Sequence, residues 1–203
     1  MESTQRRDAR VVVLGDQLIT PAGDPKGMGW LGRVIAKTPA REPRIDFYSL
    51  AAPDETSTML SERWLAEVSR RFSAETDNYL VVALGHNDPA AGVSVSRSRL
   101  NLATILDESM KAGVKCFVIG PTPHADASRN HDIEHLASGY EDVASRRNVK
   151  FVDCFRPLVE HAGWNEEMSY SIHGLPGQVG HGLIAWLVLN RGWYEWLDIK
   201  VEQ

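Results

Sequence analysis

The chain has 203 residues, of which 43% are hydrophobic and 24% are charged. These values lie near the average for globular proteins and exclude a disordered, fibrous or disulfide-stapled chain. Acidic side chains outnumber basic ones by 27 to 22, giving a formal net charge of −5, so binding to nucleic acid or to an anionic membrane is not expected. The length predicts a single domain over residues 1–203.

Five short apolar runs, rich in β-branched residues, predict five β-strands. Three of the runs are almost continuously apolar, which is typical of strands that are covered on both faces. In chain order the predicted strands are Val11–Gly15, Ile45–Leu50, Tyr79–Leu84, Lys115–Gly120 and Val149–Asp153.

Segments with the helical spacing of apolar residues separate these strands. The predicted helices are Gly27–Lys37, Thr56–Arg71, Ser98–Ala112, His131–Arg147 and Gln178–Leu189. Strands that alternate with helices, without a hairpin signal between them, indicate parallel βαβ units. The sequence therefore predicts an α/β fold, a three-layer αβα sandwich around a five-stranded parallel sheet.

The first residues bear on the location of the protein, and the last residues bear on packing. The polar start, MESTQRRDAR, lacks the apolar stretch of a signal peptide, and no apolar run reaches the roughly 18 residues that span a bilayer, so a cytoplasmic protein is predicted. The aromatic segment 191–203 is predicted to pack on the body as a terminal extension. Its Trp193 and Trp196 are alternatively candidates for a contact in a homo-oligomer.

No metal or other cofactor is predicted. His131 and His135 share a helix face, but no acidic third ligand accompanies them. Cys116 and Cys154 form no CxxC motif, and the predicted strands place them roughly 13 Å apart, too far for a disulfide.

Polar residues follow the carboxyl end of each predicted strand, where ligands bind in open parallel α/β sheets. The resulting order of short motifs resembles the SGNH (GDSL-type) hydrolases over nearly the whole chain. Gly15-Asp16-Gln17 resembles the Gly-Asp-Ser block of that family, and Gly85-His86-Asn87-Asp88 contains its intact Gly-x-Asn-Asp block. The segment Tyr170-Ser171-Ile172-His173, followed by Gly180-His181, resembles its Asp-x-x-His block. The resemblance implies the flavodoxin-like SGNH-hydrolase fold.

The resemblance also implies a mechanism. In the family a serine attacks an acyl carbonyl, a histidine takes the serine proton, and an aspartate orients the histidine. Backbone N–H groups and an asparagine hold the oxyanion. Carried over to this chain, Asn87 is an oxyanion donor and His173 is the base, while the glycine of the family's second block falls on Ala51, whose N–H can still donate.

Two positions depart from the family pattern. Gln17 stands where the serine is expected, and an amide has no ionisable proton and no useful nucleophilicity. Tyr170 stands where the aspartate is expected, and a neutral phenol stabilises an imidazolium far less than a carboxylate does. An ordinary serine-esterase mechanism is therefore not expected.

The roles of three further residues in these motifs remain open. Asp16 either binds nearby loop amides or acts as a nucleophile or water-activating base. His86 is either a loop histidine without a specific role or a sign of an oxygen-rich substrate, because Gly-His-Asn-Asp resembles carbohydrate-deacetylating members of the family. Ser171 is a hydroxyl close to His173 in the sequence, although its position two residues away makes an awkward approach.

These observations lead to three hypotheses. In the first, the chain is an enzyme that acts on a small oxygen-rich or acylated substrate by non-covalent acid/base chemistry. In the second, it is an inactive pseudo-hydrolase that binds a ligand or a partner. In the third, it is an ester hydrolase or deacetylase with a substitute nucleophile. The predicted catalytic residues are His173, Asn87, Gln17 and Asp16, and the predicted substrate-binding residues are Gly15, Ala51, Gly85, His86, Tyr170 and Ser171.

Overall fold

The computed structural model describes residues 7–171 and 173–200. Its strands are β1 (Ala9–Gly15), β2 (Ile45–Ala51), β3 (Asp77–Ala83), β4 (Lys115–Ile119) and β5 (Lys150–Val152). All of them run parallel in one sheet of order β2-β1-β3-β4-β5. The predicted α/β fold with a five-stranded parallel sheet is confirmed.

Helices connect the strands and cover both faces of the sheet. They are α1 (Gly29–Lys37), α2 (Ser57–Ser69), α3 (Asn87–Ala90), α4 (Val95–Lys111), α5 (Asn130–Ser145), α6 (Arg156–Val159), α7 (Ala162–Ser169), α8 (Gln178–Val188) and α9 (Tyr194–Trp196). Two 3₁₀ turns, Gln17–Ile19 and Ala127–Arg129, lie after β1 and before α5. No helix within the described ranges is long and apolar enough to cross a membrane.

Local hydrogen bonds explain where two elements differ from their predicted bounds. Helix α4 starts before the predicted Ser98 because Ser94 is its N-cap, with the Ser94 side chain accepting from the Arg97 amide at 3.3 Å. Strand β5 stops before Asp153, whose carboxylate accepts the Phe155 amide at 2.9 Å and turns the chain into α6.

Alternate side chains of β1 enter two separate hydrophobic cores. Val11 and Val13 belong to the core that α1 and α8 cover, whereas Val12 and Leu14 belong to the core under α2, α4 and α5. This alternation follows from the two-residue period of a strand, and it explains why the buried strands read as continuous apolar runs.

The segment that follows α8 packs on the body of the protein. Trp193 is fully buried, and its Nε1 donates a hydrogen bond to Thr38 Oγ1 at 3.0 Å. Its ring lies against Phe47, Phe117 and Trp196. Both tryptophans proposed for a contact with a second copy are thus buried within their own chain.

The two cysteines are free thiols. Cys116 and Cys154 are both buried and unbridged. Burial raises the pKa of each thiol, which keeps both protonated and unreactive at neutral pH.

Replacing Trp193 with alanine is expected to lower the free energy of unfolding by about 3 to 5 kcal/mol, because it removes a large buried aromatic side chain and leaves a cavity. The matched control is Trp186→Ala on α8, where the side chain is 61% exposed and the change is expected to stay within about 0.5 kcal/mol. Chemical denaturation followed by circular dichroism measures both. Equal losses for the two variants would contradict burial of Trp193 against the sheet.

Candidate functional site

Two glycines at the carboxyl end of the sheet make room for a buried carboxylate. A Cβ at Gly15 would lie 2.1 Å from the carbonyl oxygen of Ala83 on the neighbouring strand β3. A Cβ at Gly85 would lie 2.0 Å from Oδ2 of Asp16. Neither position admits a side chain without displacing its neighbour, so the two glycines fix how closely the Asp16 loop approaches β3.

Asp16 is 3% exposed and is held by two hydrogen bonds. Its Oδ1 accepts the Leu18 amide at 2.9 Å, and its Oδ2 accepts from Asn87 Nδ2 at 2.9 Å. Burial raises the pKa of Asp16 to about 6, although both hydrogen bonds act in the opposite direction. The carboxyl group can therefore gain or lose a proton close to neutral pH.

The side-chain amide of Asn87 has no N–H left over in this arrangement. Its Nδ2 donates to Asp16 Oδ2 and also to the carbonyl oxygen of Glu55 at 3.1 Å. An amide nitrogen carries only two hydrogens. For Asn87 to serve as the oxyanion donor that the sequence predicts, one of these two bonds must break when a substrate binds.

The residue after Asn87 anchors the site to the surrounding helices. Asp88 is buried, and its Oδ1 accepts the amide of Ser57 at the start of α2 at 2.7 Å. Its Oδ2 accepts from the Tyr140 hydroxyl on α5 at 3.1 Å. These two bonds fix the Gly85-His86-Asn87-Asp88 motif in place, which gives Asp88 a structural role.

Gln17 is tied to the loop after β2. Its Oε1 accepts the Asp54 amide at 2.8 Å, and its Nε2 lies 3.5 Å from the Asp54 carboxylate. Asp54 adopts a φ of 53°, in the left-handed region that non-glycine residues rarely occupy. The side chain of Gln17 is thus paired with Asp54.

A polar cleft of about 190 Å³ opens at this edge of the sheet. It brings together all four predicted catalytic residues, along with Gly85 and His86 of the predicted binding set. Its lining consists of Asp16, Gln17, Leu18, Asp54, Gly85, His86, Asn87, Thr122, His124, Arg129, His173, Gly174 and Leu175.

His173 lies between this cleft and a second one of about 430 Å³ that Tyr170 and Ser171 line. Its side chain is exposed, and the ring has no hydrogen-bond partner among residues 7–171 and 173–200. Tyr170 is 77% exposed. The Ser171 hydroxyl donates to the Leu175 carbonyl at 2.8 Å. Ile172, which separates Ser171 from His173, lies outside the described residues.

Ala51 is an exposed residue of the edge strand β2 and does not line the cleft. The next amide, that of Ala52, donates to the Gly15 carbonyl at 3.0 Å. Because successive amides of a strand point in opposite directions, the Ala51 N–H faces away from β1. The predicted donation from Ala51 to an oxyanion therefore does not fit this structure. Gly15, which is buried, contributes through backbone packing rather than through the lining.

His86 is held as a neutral ring. Its Nδ1 lies 3.3 Å from the Thr122 carbonyl oxygen and is assigned as the N–H donor of that bond. Burial lowers the pKa of His86 to about 4. The ring therefore contributes a hydrogen-bonding surface, not a charge, to the cleft at neutral pH.

The buried His181 and the half-buried Glu167 fix the frame around the His173 loop. His181 accepts the Trp30 amide at Nδ1 and donates from Nε2 to the Ala22 carbonyl, each at 3.1 Å. The Glu167 carboxylate accepts three amides at the start of α8, which are those of Gly177, Val179 and Gly180. Both residues are structural, and Glu167 has no motif that would have revealed its role in the sequence.

Sequence reasoning missed three residues on the far side of the cleft. Thr122, His124 and Arg129 all lie after β4. The carboxyl-end rule that selected the other loops also applies to this strand, so the segment after Gly120 contained the signal.

Comparisons with known proteins agree with this architecture. A model of the GDSL-like lipase/acylhydrolase family matches residues 13–182. The acetylxylan esterase Axe2 from Geobacillus stearothermophilus aligns with a TM-score of 0.72 and 17% identity, over 98% of this chain and 99% of Axe2. The psychrotrophic esterase EstA from Pseudoalteromonas sp. aligns with a TM-score of 0.70 and 20% identity, over 94% of this chain and 100% of EstA. At these identities the likeness concerns the fold.

One curated relative has a higher sequence identity to this chain, but the alignment covers a smaller part of that relative. The membrane-bound lytic murein transglycosylase D of Escherichia coli (strain K12) is 31% identical over 155 residues, which cover 68% of this chain. The matched part spans only 33% of that protein. The family model, by contrast, extends over most of this chain and includes the Asp16, Asn87 and His173 loops. The chain therefore has an esterase-like hydrolase scaffold and belongs to the GDSL-like lipase/acylhydrolase (SGNH) family.

Proposed function

We propose that this chain is an enzyme that acts on a small oxygen-rich or acylated substrate by non-covalent acid/base chemistry. The observation that carries the proposal is the glutamine at position 17. It follows Asp16 at the end of β1, where the family places its attacking serine, and it shares a cleft with His173 and Asp16. The site thus combines groups that transfer protons with an amide that cannot form an acyl-enzyme.

The hydroxyl groups near the cleft are not placed to act as nucleophiles, which supports this proposal. Among the described lining residues only Thr122 carries a hydroxyl, and that residue is 2% exposed. The Ser171 hydroxyl belongs to the neighbouring cleft and donates a hydrogen bond to a backbone carbonyl. Neither makes a hydrogen bond to His173 in the part of the chain that the structure describes, so no activated nucleophile pair is formed.

Each of the four residues has a separate chemical role in this mechanism. His173 accepts a proton from a substrate hydroxyl or from a water molecule, since its ring is exposed at the cleft. Asp16 supplies a second proton-transfer group with its pKa near 6, which suits operation near neutral pH. Gln17 and Asn87 bind substrate oxygen atoms after exchanging one of their present hydrogen bonds. The polar lining and small volume favour a small, oxygen-rich substrate.

The likeness to an esterase of known substrate class supports an acylated, oxygen-rich substrate. Axe2, whose fold this chain shares, is an acetylxylan esterase, and its name describes an acylated, oxygen-rich substrate. The histidine of Gly85-His86-Asn87 agrees with that class.

A direct test combines ligand binding with product analysis. A thermal-shift screen of acylated and unacylated sugars and polyols is expected to find a ligand that stabilises the wild type, and NMR is expected to show its conversion to a product. The His173→Ala variant should bind that ligand but not convert it, because the proton acceptor is gone. A ligand that the wild type returns unchanged would contradict an enzyme and favour a binding module.

Restoring the family residues is expected to create esterase activity. The wild type should hydrolyse 4-nitrophenyl acetate negligibly, and Gln17→Ser should gain slight activity. The double variant Gln17→Ser with Tyr170→Asp should exceed the wild type by roughly 100-fold or more, the usual contribution of a positioned general base. Thr122→Val is the control for a substitute nucleophile and should leave the wild-type rate unchanged. An inert double variant would show that residue 17 is not at the nucleophile position.

The raised pKa of Asp16 predicts a pH-dependent stability. In the folded protein the carboxyl keeps its proton up to about pH 6, but in the unfolded chain it loses the proton near its ordinary pKa of 3.8. The folded state therefore binds more protons between these values and loses stability as the pH rises through them. Relative to Asp16→Asn, the free energy of unfolding of the wild type should fall by up to about 3 kcal/mol over that interval.

The matched control for this measurement is Asp107→Asn. The Arg147 guanidinium lowers the pKa of Asp107, so the wild type should lose stability relative to that variant as the pH falls, the opposite direction. Urea denaturation at a series of pH values measures both pairs. Parallel pH profiles for the wild type and Asp16→Asn would contradict a protonated, buried Asp16.

A further inference from the structure

Two donors meet one histidine ring at the rim of the cleft. The Asp126 amide donates to His124 Nδ1 at 2.9 Å, and Arg129 Nη1 lies 2.7 Å from His124 Nε2. A guanidinium has only N–H groups, and a neutral imidazole has only one nitrogen that accepts. A protonated imidazole accepts nothing. Therefore, in every protonation state of His124, at least one of these two contacts places two N–H groups opposite each other.

The Arg129 side chain is the member of the group that is free to change partner. The Asp126 amide belongs to a tight turn in which the Asp126 carboxylate accepts the Ser128 amide at 3.0 Å. Arg129 has no carboxylate within 4 Å in the described ranges, and it is the one lysine or arginine among the described residues that line the cleft. It therefore forms no ion pair, and the Asp126 carboxylate acts on its charge only from beyond 4 Å.

The backbone around His124 is fixed before any ligand arrives. Asn130, the first residue of α5, accepts the His124 amide at 2.8 Å through Oδ1 and donates to the His124 carbonyl at 3.2 Å through Nδ2. The His124 ring makes an edge-to-face contact with His86, with centroids 5.0 Å apart. Burial and the adjacent guanidinium lower the pKa of His124, so the ring is neutral. These contacts make a rigid donor surface.

This donor surface lies next to the proposed proton acceptor. Nε2 of His124 is 3.9 Å from the position that a Cβ at Gly174 would occupy, and Gly174 directly follows His173. With Nδ1 accepting from the Asp126 amide, Nε2 carries the ring proton, and His124 and Arg129 both line the cleft that His173 also lines. If the Arg129 side chain shifted away from the ring, an acceptor atom bound in the cleft would accept from both nitrogens.

We propose that His124 and Arg129 form an anion-binding subsite, so that the substrate carries a carboxylate or phosphate group beside the oxygen atoms on which His173 acts. The identification of this cleft as the substrate site rests on the proposed function. The subsite itself rests on the donor mismatch, on the Arg129 guanidinium that forms no ion pair with a described residue, and on the clamped His124 backbone. Guanidinium groups bind both kinds of oxyanion through two parallel N–H bonds.

The test is a titration of the full chain, followed by NMR of the Arg129 Nε–H and the His124 ring, with three probes. Inorganic phosphate and acetate are the anionic probes, and glucose is the neutral, oxygen-rich control. At least one anion is expected to shift both signals and to bind roughly tenfold more tightly than glucose, the usual effect of a charge-assisted hydrogen bond. A response to phosphate alone or to acetate alone identifies which anion the substrate carries.

Two charge-matched variants separate a built subsite from general attraction. Arg129→Gln should lose the preference for the anion, whereas Arg97→Gln, an exposed change on α4 outside the cleft, should keep it. No shift with either anion, or equal losses in both variants, would overturn the subsite. This readout does not require turnover, so a failure of the acid/base proposal leaves it intact, and a failure here leaves the His173 test intact.

Discussion

The Asp16 carboxylate, buried against Gly85 and bonded to Asn87, is the interaction on which the rest of the site depends. It occupies the space that a side chain at position 85 would need, and it takes one N–H of the Asn87 amide. The loops after β1 and β3 are thereby joined at the carboxyl edge of the sheet. Because the group is buried, its proton is held to a pH near 6. One residue thus links the geometry of the cleft to its protonation state.

The cleft has two chemically different sides. Asp16, Gln17 and Asp54 come from the loops after β1 and β2, whereas His124 and Arg129 come from the segment after β4. His173 enters from the loop before α8. The proposed mechanism uses the acidic side and His173 for proton transfer, and the proposed anion subsite uses the basic side for orientation. A substrate with an anionic group at one end and a reactive oxygen at the other would match both.

Much of this arrangement was predictable from sequence because strand patterns and carboxyl-end loops are local signals. The alternating cores of β1 and the loop positions of Asp16, Asn87 and His173 all follow from such signals. The partners of each side chain did not follow, since they depend on contacts between distant segments. Asp54 binding Gln17 and Glu55 binding Asn87 are of this kind. Ala51 shows a third limit, because the direction of a strand amide depends on register, which a motif alignment does not fix.

We propose that catalysis here proceeds without a covalent acyl-enzyme, because residue 17 carries an amide. The test is intact-protein mass spectrometry after incubation with a serine-directed fluorophosphonate. The double variant Gln17→Ser with Tyr170→Asp serves as the labelled reference. We expect an unmodified mass for the wild type and phosphonylation at residue 17 in the reference variant. Stoichiometric labelling of the wild type would contradict a non-covalent mechanism and reveal a nucleophile at another residue.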